Sequence, residues 1–378
     1  MNSYKILAVS SLTAALAACS SSSMTAAPAG NGGPLDTSNP SPEASTAAGA
    51  EDASSSTPVI GALAITTIGS TVDPTNGDEN PYGLAVAPAS AGLLTEGDLV
   101  ICNFNDSANV QGNGTTIEIL HPVPGSMPTR MVQDPNLKGC AALAMADNDA
   151  PWAAAYSSNL APFYGPAGTL VSTLSAGPWG GPWGEIYAPA FGSPGAGSFV
   201  TSNATSGTIV RVNFAGTAFT TIATGFTLNA GAVPGNILGP SGLTYDATND
   251  TLFVVDSNKN RVVAFAGYST LAANAIVLES DGTFSGPSAA SASVLFAGAP
   301  LNAPISAAQL FNGDLVVGNT ADNLLVEISP AGKVVATQNL DTGAVGALFG
   351  IVATGTDASS TKIYFNDDND NTVKLLAP

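Results

Sequence analysis

Two features of the sequence predict an all-β fold built from repeated sheet units. Its apolar residues come in short runs split by Gly, Pro, Asn and Asp, and one motif recurs along most of the chain. Of the 378 residues, 45% are hydrophobic and only 10% charged, so the chain as a whole is not disordered. β-Branched and aromatic residues fill the runs and turn formers lie between them, as a many-stranded protein requires. This length could hold two domains, but closed all-β folds of the size can be single.

The stretch from Gly239 to Ala266 shows the unit most clearly. Leu243-Thr-Tyr, Thr251–Val255 and Arg261–Ala266 read as three strands, with turns at Ala247-Thr-Asn-Asp250 and Asp256-Ser-Asn-Lys-Asn260. The first strand opens with Pro240-Ser-Gly-Leu243. The same opening appears at Pro81-Tyr-Gly-Leu84 and Pro182-Trp-Gly-Glu185. Weaker forms stand at Cys140-Ala-Ala-Leu143, Pro304-Ile-Ser-Ala307 and Leu348-Phe-Gly-Ile351. Second strands are predicted at Asp98–Cys102, Ser198–Thr201, Asp314–Val317 and Lys362–Phe365, each leading into an Asn- or Asp-rich turn. Third strands follow at Thr116–Leu120, Ile209–Phe214, Leu324–Ile328 and Val373–Leu376. The second unit matches least well, with Ala153–Tyr156 and Thr169–Leu174 as its best strands. Six units result, spaced by roughly 43 to 64 residues.

On these motifs the chain resembles the NHL-type β-propellers, which implies a six-bladed propeller over residues 59–378. Inner strands would converge on the axis, where a Gly lets neighbouring backbones approach, and Pro is tolerated at a strand's first residue. The last unit reaches Pro378 after only three strands, while Ala62–Ser70 is a spare strand at the other end. Pairing the two would close the ring and remove an open edge.

Residues Met1–Ala18 read as an export signal, with Lys5 ahead of an apolar region. Its end, Leu16-Ala17-Ala18-Cys19, resembles the lipobox of bacterial lipoproteins. That resemblance implies cleavage before Cys19, a diacylglycerol on its sulfur, and anchoring in the bacterial envelope. Ser20 after the Cys implies the outer membrane where a cell has two. Residues 19–58 are almost wholly Ser, Ala, Gly, Pro and Thr and read as a flexible tether of roughly 35 Å average reach.

Nine Lys plus Arg against 28 Asp plus Glu give a net charge of −19. This argues against nucleic acid as a partner and against adhesion to anionic lipid through charge. An acidic surface keeps an exported, monomeric propeller soluble.

Few residues offer chemistry. His121 is the only histidine, so the His-rich metal sites of NHL-like lyases cannot be assembled, and a Ser-His-Asp triad would depend on it alone. The Asn366–Asn371 cluster starts like an EF-hand loop, but Thr372 stands where that loop needs Gly, so it reads as an inter-strand turn. Asp246–Asp250 and Asp147–Asp149 read the same way. Related hydrolase propellers hold calcium in the central channel, and Glu185, on an inner strand, is the carboxylate here placed for that role. Tyr82, Trp183 and Phe349 occupy the x of the Pro-x-Gly opening, with Trp179 just before. They should ring one channel mouth, either stacking on a glycan or apolar ligand or packing as a plug. Cys102 and Cys140 remain once Cys19 is lipidated. Topology places both near one face on neighbouring blades, either bridged or as two buried thiols. The expected function is a binding or scaffold module for an envelope protein or a small ligand, without cofactor. A calcium-dependent hydrolase or lyase is the alternative.

Overall fold

The computed structural model describes residues 57–192, 197–229 and 239–378. The export signal, Cys19 and most of the tether lie outside the described residues. What is described is a six-bladed β-propeller. Blade one comprises Glu79–Val86, Leu99–Asn105, Thr116–Leu120 and Thr129–Gln133 from the inside out. Blade two has Cys140–Met145, Pro151–Ala155, Ala161–Tyr164 and Leu170–Leu174. Blade three has Pro182–Ala188, Ser198–Asn203, Thr208–Asn213 and Phe219–Thr224, and blade four Pro240–Asp246, Thr251–Asp256, Arg261–Ala266 and Ala292–Ala297. Blade five is Pro304–Gln309, Leu315–Asn319, Leu324–Ile328 and Val334–Asn339.

Blade six is composite. Leu348–Thr354, Lys362–Asp367 and Thr372–Ala377 come from the end of the chain, and Ala64–Ser70 pairs antiparallel with Thr372–Ala377 as the outermost strand. Ile68 is fully buried in that seam beside Val373. Just before the strand, Val59, Ile60 and Leu63 enter the core shared by blades five and six. The Glu327 carboxylate accepts from the Val59 N–H at 3.0 Å and the Ile60 N–H at 3.1 Å. The chain therefore joins the ring at the face holding the turns between first and second strands, called lower here.

The structure adds two features to the sequence expectation. Thr169–Leu174 proves to overlap the outer strand of blade two, and Ala161–Tyr164 is the missing third. In blade three, Ile276–Leu278 runs parallel to Phe219–Thr224 and Phe284–Ser285 pairs with it, extending the sheet to six strands. Both short strands come from the insertion between the third and fourth strands of blade four.

One contact repeats between blades on the upper face. Asn159, Asn260, Asn323 and Asn371 each sit at positive φ, between 47° and 55°, just before or one residue short of a third strand. Asn is among the few side chains that tolerate this left-handed geometry. Each Oδ1 accepts the N–H of the residue immediately before the next blade's opening motif, which is the residue ahead of the inner strand in three cases and its second residue, Asn80, in blade one. The acceptors and donors are Asn159 to Gly181 at 2.9 Å, Asn260 to Ala303 at 2.8 Å, Asn323 to Ala347 at 3.0 Å and Asn371 to Asn80 at 2.8 Å. The Asn-rich turns thus serve as clasps that fix one blade's start against its predecessor.

These two roles separate by mutation. Asn260→Gly keeps the turn but loses the clasp and should cost about 1 kcal/mol. Asn260→Ala also pays for positive φ, adding roughly 1–2 kcal/mol. Urea unfolding midpoints in the order wild type, Gly, Ala are expected; equal midpoints for all three would refute the clasp.

Candidate ligand-binding mouth and central channel

Every inner strand shifts register at its opening motif: between Pro81 and Gly83, Cys140 and Ala142, Pro182 and Gly184, Pro240 and Leu243, Pro304 and Ser306, and Leu348 and Ile351. A bulge re-aims a side chain out of the regular alternation. Here it delivers the x residue of five motifs to the axis, Tyr82, Ala141, Trp183, Ile305 and Phe349, while the sixth, Ser241, is hydrogen-bonded within its own blade to Val255 and Ser257. The following Gly is demanded by proximity. A Cβ on Gly83 would stand 2.9 Å from the Ala142 carbonyl carbon of the next blade, and one on Gly350 would stand 2.6 Å from the Tyr82 oxygen.

The aromatic side chains meet each other. Tyr82 stacks on Phe349 with ring centroids 3.6 Å apart and, within the same cluster, on Phe104 at 4.2 Å. Trp183 stands edge-on to Tyr82 at 6.0 Å and to Phe104 at 5.7 Å, and Tyr156 lies perpendicular to it at 5.4 Å. Tyr82, Trp183 and Phe349 are all buried, at 2%, 4% and 7% exposure. Stacked neighbours take up the ring faces that would lie against a sugar, so the rings form a plug across the channel. Trp179 is elsewhere: its indole packs on Phe219 at 5.7 Å and donates to the Leu174 carbonyl, at the seam of blades two and three. It lies outside the mouth because two glycines follow it before the inner strand begins.

Above the plug lies an open cavity of about 380 Å³, with Tyr82 and Phe349 in its floor and Gln111, Thr320, Asp368 and Asn369 around it. Asp368 Oδ1 is buried with no hydrogen-bond partner among the described residues. Burial, then the Asp367 and Glu79 carboxylates, push its pKa up to about 7. Sequence reasoning assigned Asp368 to a turn, as its backbone is, and had no signal for its side chain or for Gln111. Phe104 was missed because its motif, Asn103-Phe-Asn105, sits in a second strand.

Below the plug the six inner strands enclose a narrow space of about 70 Å³. Glu185 lies there, 5% exposed, with Oε1 accepting from Thr201 Oγ1 at 3.4 Å and Oε2 without a partner. Burial raises its pKa to about 8. The lining holds no second carboxylate, only backbone, small and apolar side chains and Ser306. Among the described residues no three His, Cys, Asp or Glu side chains gather closely enough to hold a metal. The donor set does not fit a calcium site of the hydrolase kind.

The remaining candidates have structural partners. His121 Nδ1 lies 2.6 Å from Asp98 Oδ1 at the lower end of blade one, with the imidazole exposed and no hydroxyl bonded to it among the described residues. Asp246 accepts from the N–H groups of Thr248 and Asn249, and Asp149 from that of Ala89. Asp367 and Asp370 both pair with Lys374 at 2.6 Å. Cys102 and Cys140 are joined in a disulfide between blades one and two, with Cα atoms 5.8 Å apart.

No protein-family model matches the sequence, and no curated protein matches it. Solved structures are similar in fold. A gluconolactonase from Xanthomonas campestris is 11% identical with a TM-score of 0.55, covering 84% of this chain and 90% of its own. A chain of a nidogen–laminin complex is 15% identical at 0.54, covering 78% and 98%. A catalytically inactive virginiamycin B lyase from Staphylococcus aureus, solved with quinupristin, is 14% identical at 0.51, covering 84% and 99%. At these identities the likeness establishes the propeller fold alone.

The buried acids set a pH dependence. Besides Asp368 and Glu185, burial and the adjacent Asp73 raise Glu118 to about 10. Burial, opposed by the Ile60 and Val59 N–H groups and helped by Asp314, raises Glu327 to about 7. An acid raised in the folded state keeps its proton while the unfolded chain releases it, so stability falls as pH rises from about 4.5 toward 8. Asp73 acts oppositely: despite burial, Arg130, Glu118 and the Thr75 and Asn76 N–H groups hold it low, and its contribution is lost only as pH falls below the usual Asp range. The melting temperature should therefore decline from pH 5 to pH 8.5, more shallowly in Glu118→Gln. A flat or rising profile would contradict this.

Proposed function

We propose that this protein is a lipid-anchored NHL-type propeller of a bacterial envelope that binds small neutral saccharides at its upper mouth without catalysing their reaction. The observation that carries the reading is the cavity of about 380 Å³ closed below by stacked rings. Its walls mix a carboxyl, two carboxamides and a hydroxyl with aromatic edges, a combination suited to a polyol's hydroxyls and its apolar CH faces. The size is at the lower end of small-ligand sites, about 300–1,000 Å³. Asp368 lines the cavity and offers a ligand hydroxyl a carboxyl acceptor.

The NHL assignment is supported by the Pro-x-Gly openings at Pro81, Pro182 and Pro240. Anchoring is supported by Leu-Ala-Ala-Cys19 followed by a Ser-rich stretch. The course of the chain agrees with this. Thr57 and Pro58 line a lower-face cavity with the turn residues Phe311 and Pro330, on the side away from the mouth. A tether arriving there leaves the mouth open to the surroundings. Catalysis is disfavoured by the solitary, proton-retaining Glu185.

Intrinsic tryptophan fluorescence, titrated with a panel of neutral disaccharides that includes N-acetylated ones, tests the reading. Trp183 lies directly beneath the mouth, so saturable quenching or enhancement is expected. The exposed rim variant Gln111→Trp should block the cavity and abolish saturation while the melting temperature holds. Absence of saturable binding in the wild type, or unchanged binding in Gln111→Trp, would overturn it.

A further inference from the structure

The lower face carries a second cavity, about 370 Å³, between blades three and four. Among the described residues Arg211 is the only charged side chain lining it. The other two arginines are each neutralised, Arg130 by Asp73 and Arg261 by Asp256. Arg211 meets no carboxylate among the described residues. Its Nη1 donates to the Tyr268 and Ser269 carbonyls at 2.9 and 3.1 Å, and its Nη2 to the Leu271 carbonyl at 2.8 Å. Its carbon Cζ lies 5.5 Å from the Tyr268 ring centroid. These contacts lock the guanidinium's position but leave its charge uncompensated. They also leave the Nε–H and one Nη2–H without an acceptor. The nearby Asp250 is already committed, accepting from the Ser269 N–H and Oγ and from the Tyr245 hydroxyl.

The cavity's other walls complement such a cation. Phe191, 44% exposed, supplies an apolar side, and Ser198 and Thr220 supply hydroxyls. We infer that this cavity is a binding site for small organic carboxylates, with the carboxylate on the free edge of Arg211 and an apolar body against Phe191. A planar guanidinium with two spare donors matches a carboxylate in geometry and charge. A guanidinium already immobilised loses little further entropy on binding. The site is on the opposite face from the mouth and does not depend on saccharide binding there.

Benzoate, with benzamide as its uncharged counterpart, is the direct probe, measured by calorimetry or by chemical-shift titration of the full domain. Benzoate should bind saturably, with benzamide at least tenfold weaker. Arg211→Gln should lose benzoate binding at least tenfold. Because Arg211 also secures residues 268–271, Phe191→Ala provides a second arm: it removes an exposed ring, should leave the melting temperature unchanged, and should weaken benzoate several-fold. Equal affinity for benzoate and benzamide, no saturation by benzoate, or no effect of Phe191→Ala would each overturn the site.

Discussion

The hydrogen bond from an Asn side chain to the N–H leading into the next blade is the contact on which the rest of this structure depends. A propeller blade is a small twisted sheet whose four strands pair with one another and not with those of the next blade; the one ladder across a boundary among the described residues is the short pairing of Ile276–Leu278 with Phe219–Thr224. Side-chain packing fills the space but is non-directional. The Asn clasp adds direction, fixing where four of the six inner strands begin. At the seam between the chain's two ends, Asn371 does this doubly. Its Oδ1 holds the Asn80 N–H and its backbone oxygen accepts the Thr71 N–H at 2.9 Å, so one residue registers both the closing strand and blade one.

With the starts fixed, the bulged openings converge and the channel takes its character from them. Three of the five delivered residues are aromatic, and they satisfy one another by stacking and edge-on contact. The resulting plug divides the axis into a wet, partly acidic mouth above and a tight space with one proton-retaining acid below. Burial with one carboxyl oxygen unpartnered and no cation beside it, seen in Glu185 and Asp368, costs stability as pH rises, and a chain of net charge −19 has few cations to spare for them. The few it has are placed with purpose: Arg130 and Lys374 neutralise buried aspartates, and Arg211 stands apart.

Much of this fold was legible in the sequence because propeller blades repeat. The Pro-x-Gly openings located the inner strands, and a missing strand at Pro378 matched a spare one at Ala62–Ser70. The outer strands were hard to see, since they are half exposed and their alternation is diluted; Ala161–Tyr164, a mostly buried third strand, was passed over because it is only four residues long with a Pro inside it. The site was less legible still. Tyr82, Trp183 and Phe349 could be placed at the axis, but whether they face a ligand or each other depends on ring distances that no motif encodes. Trp179 lies one loop earlier and points into an inter-blade seam. Arg211 carries no motif, since its significance lies in carbonyls 57 to 60 residues away.

Amide hydrogen exchange tests the clasp most directly. The N–H groups of Gly181, Ala303, Ala347 and Asn80 all stand immediately before an opening motif and would exchange readily if held by nothing. Bonded to Asn159, Asn260, Asn323 and Asn371, they should exchange only through global unfolding, as slowly as amides within the inner strands. Exchange of these four at the rate of the exposed lower-face turns would contradict the account.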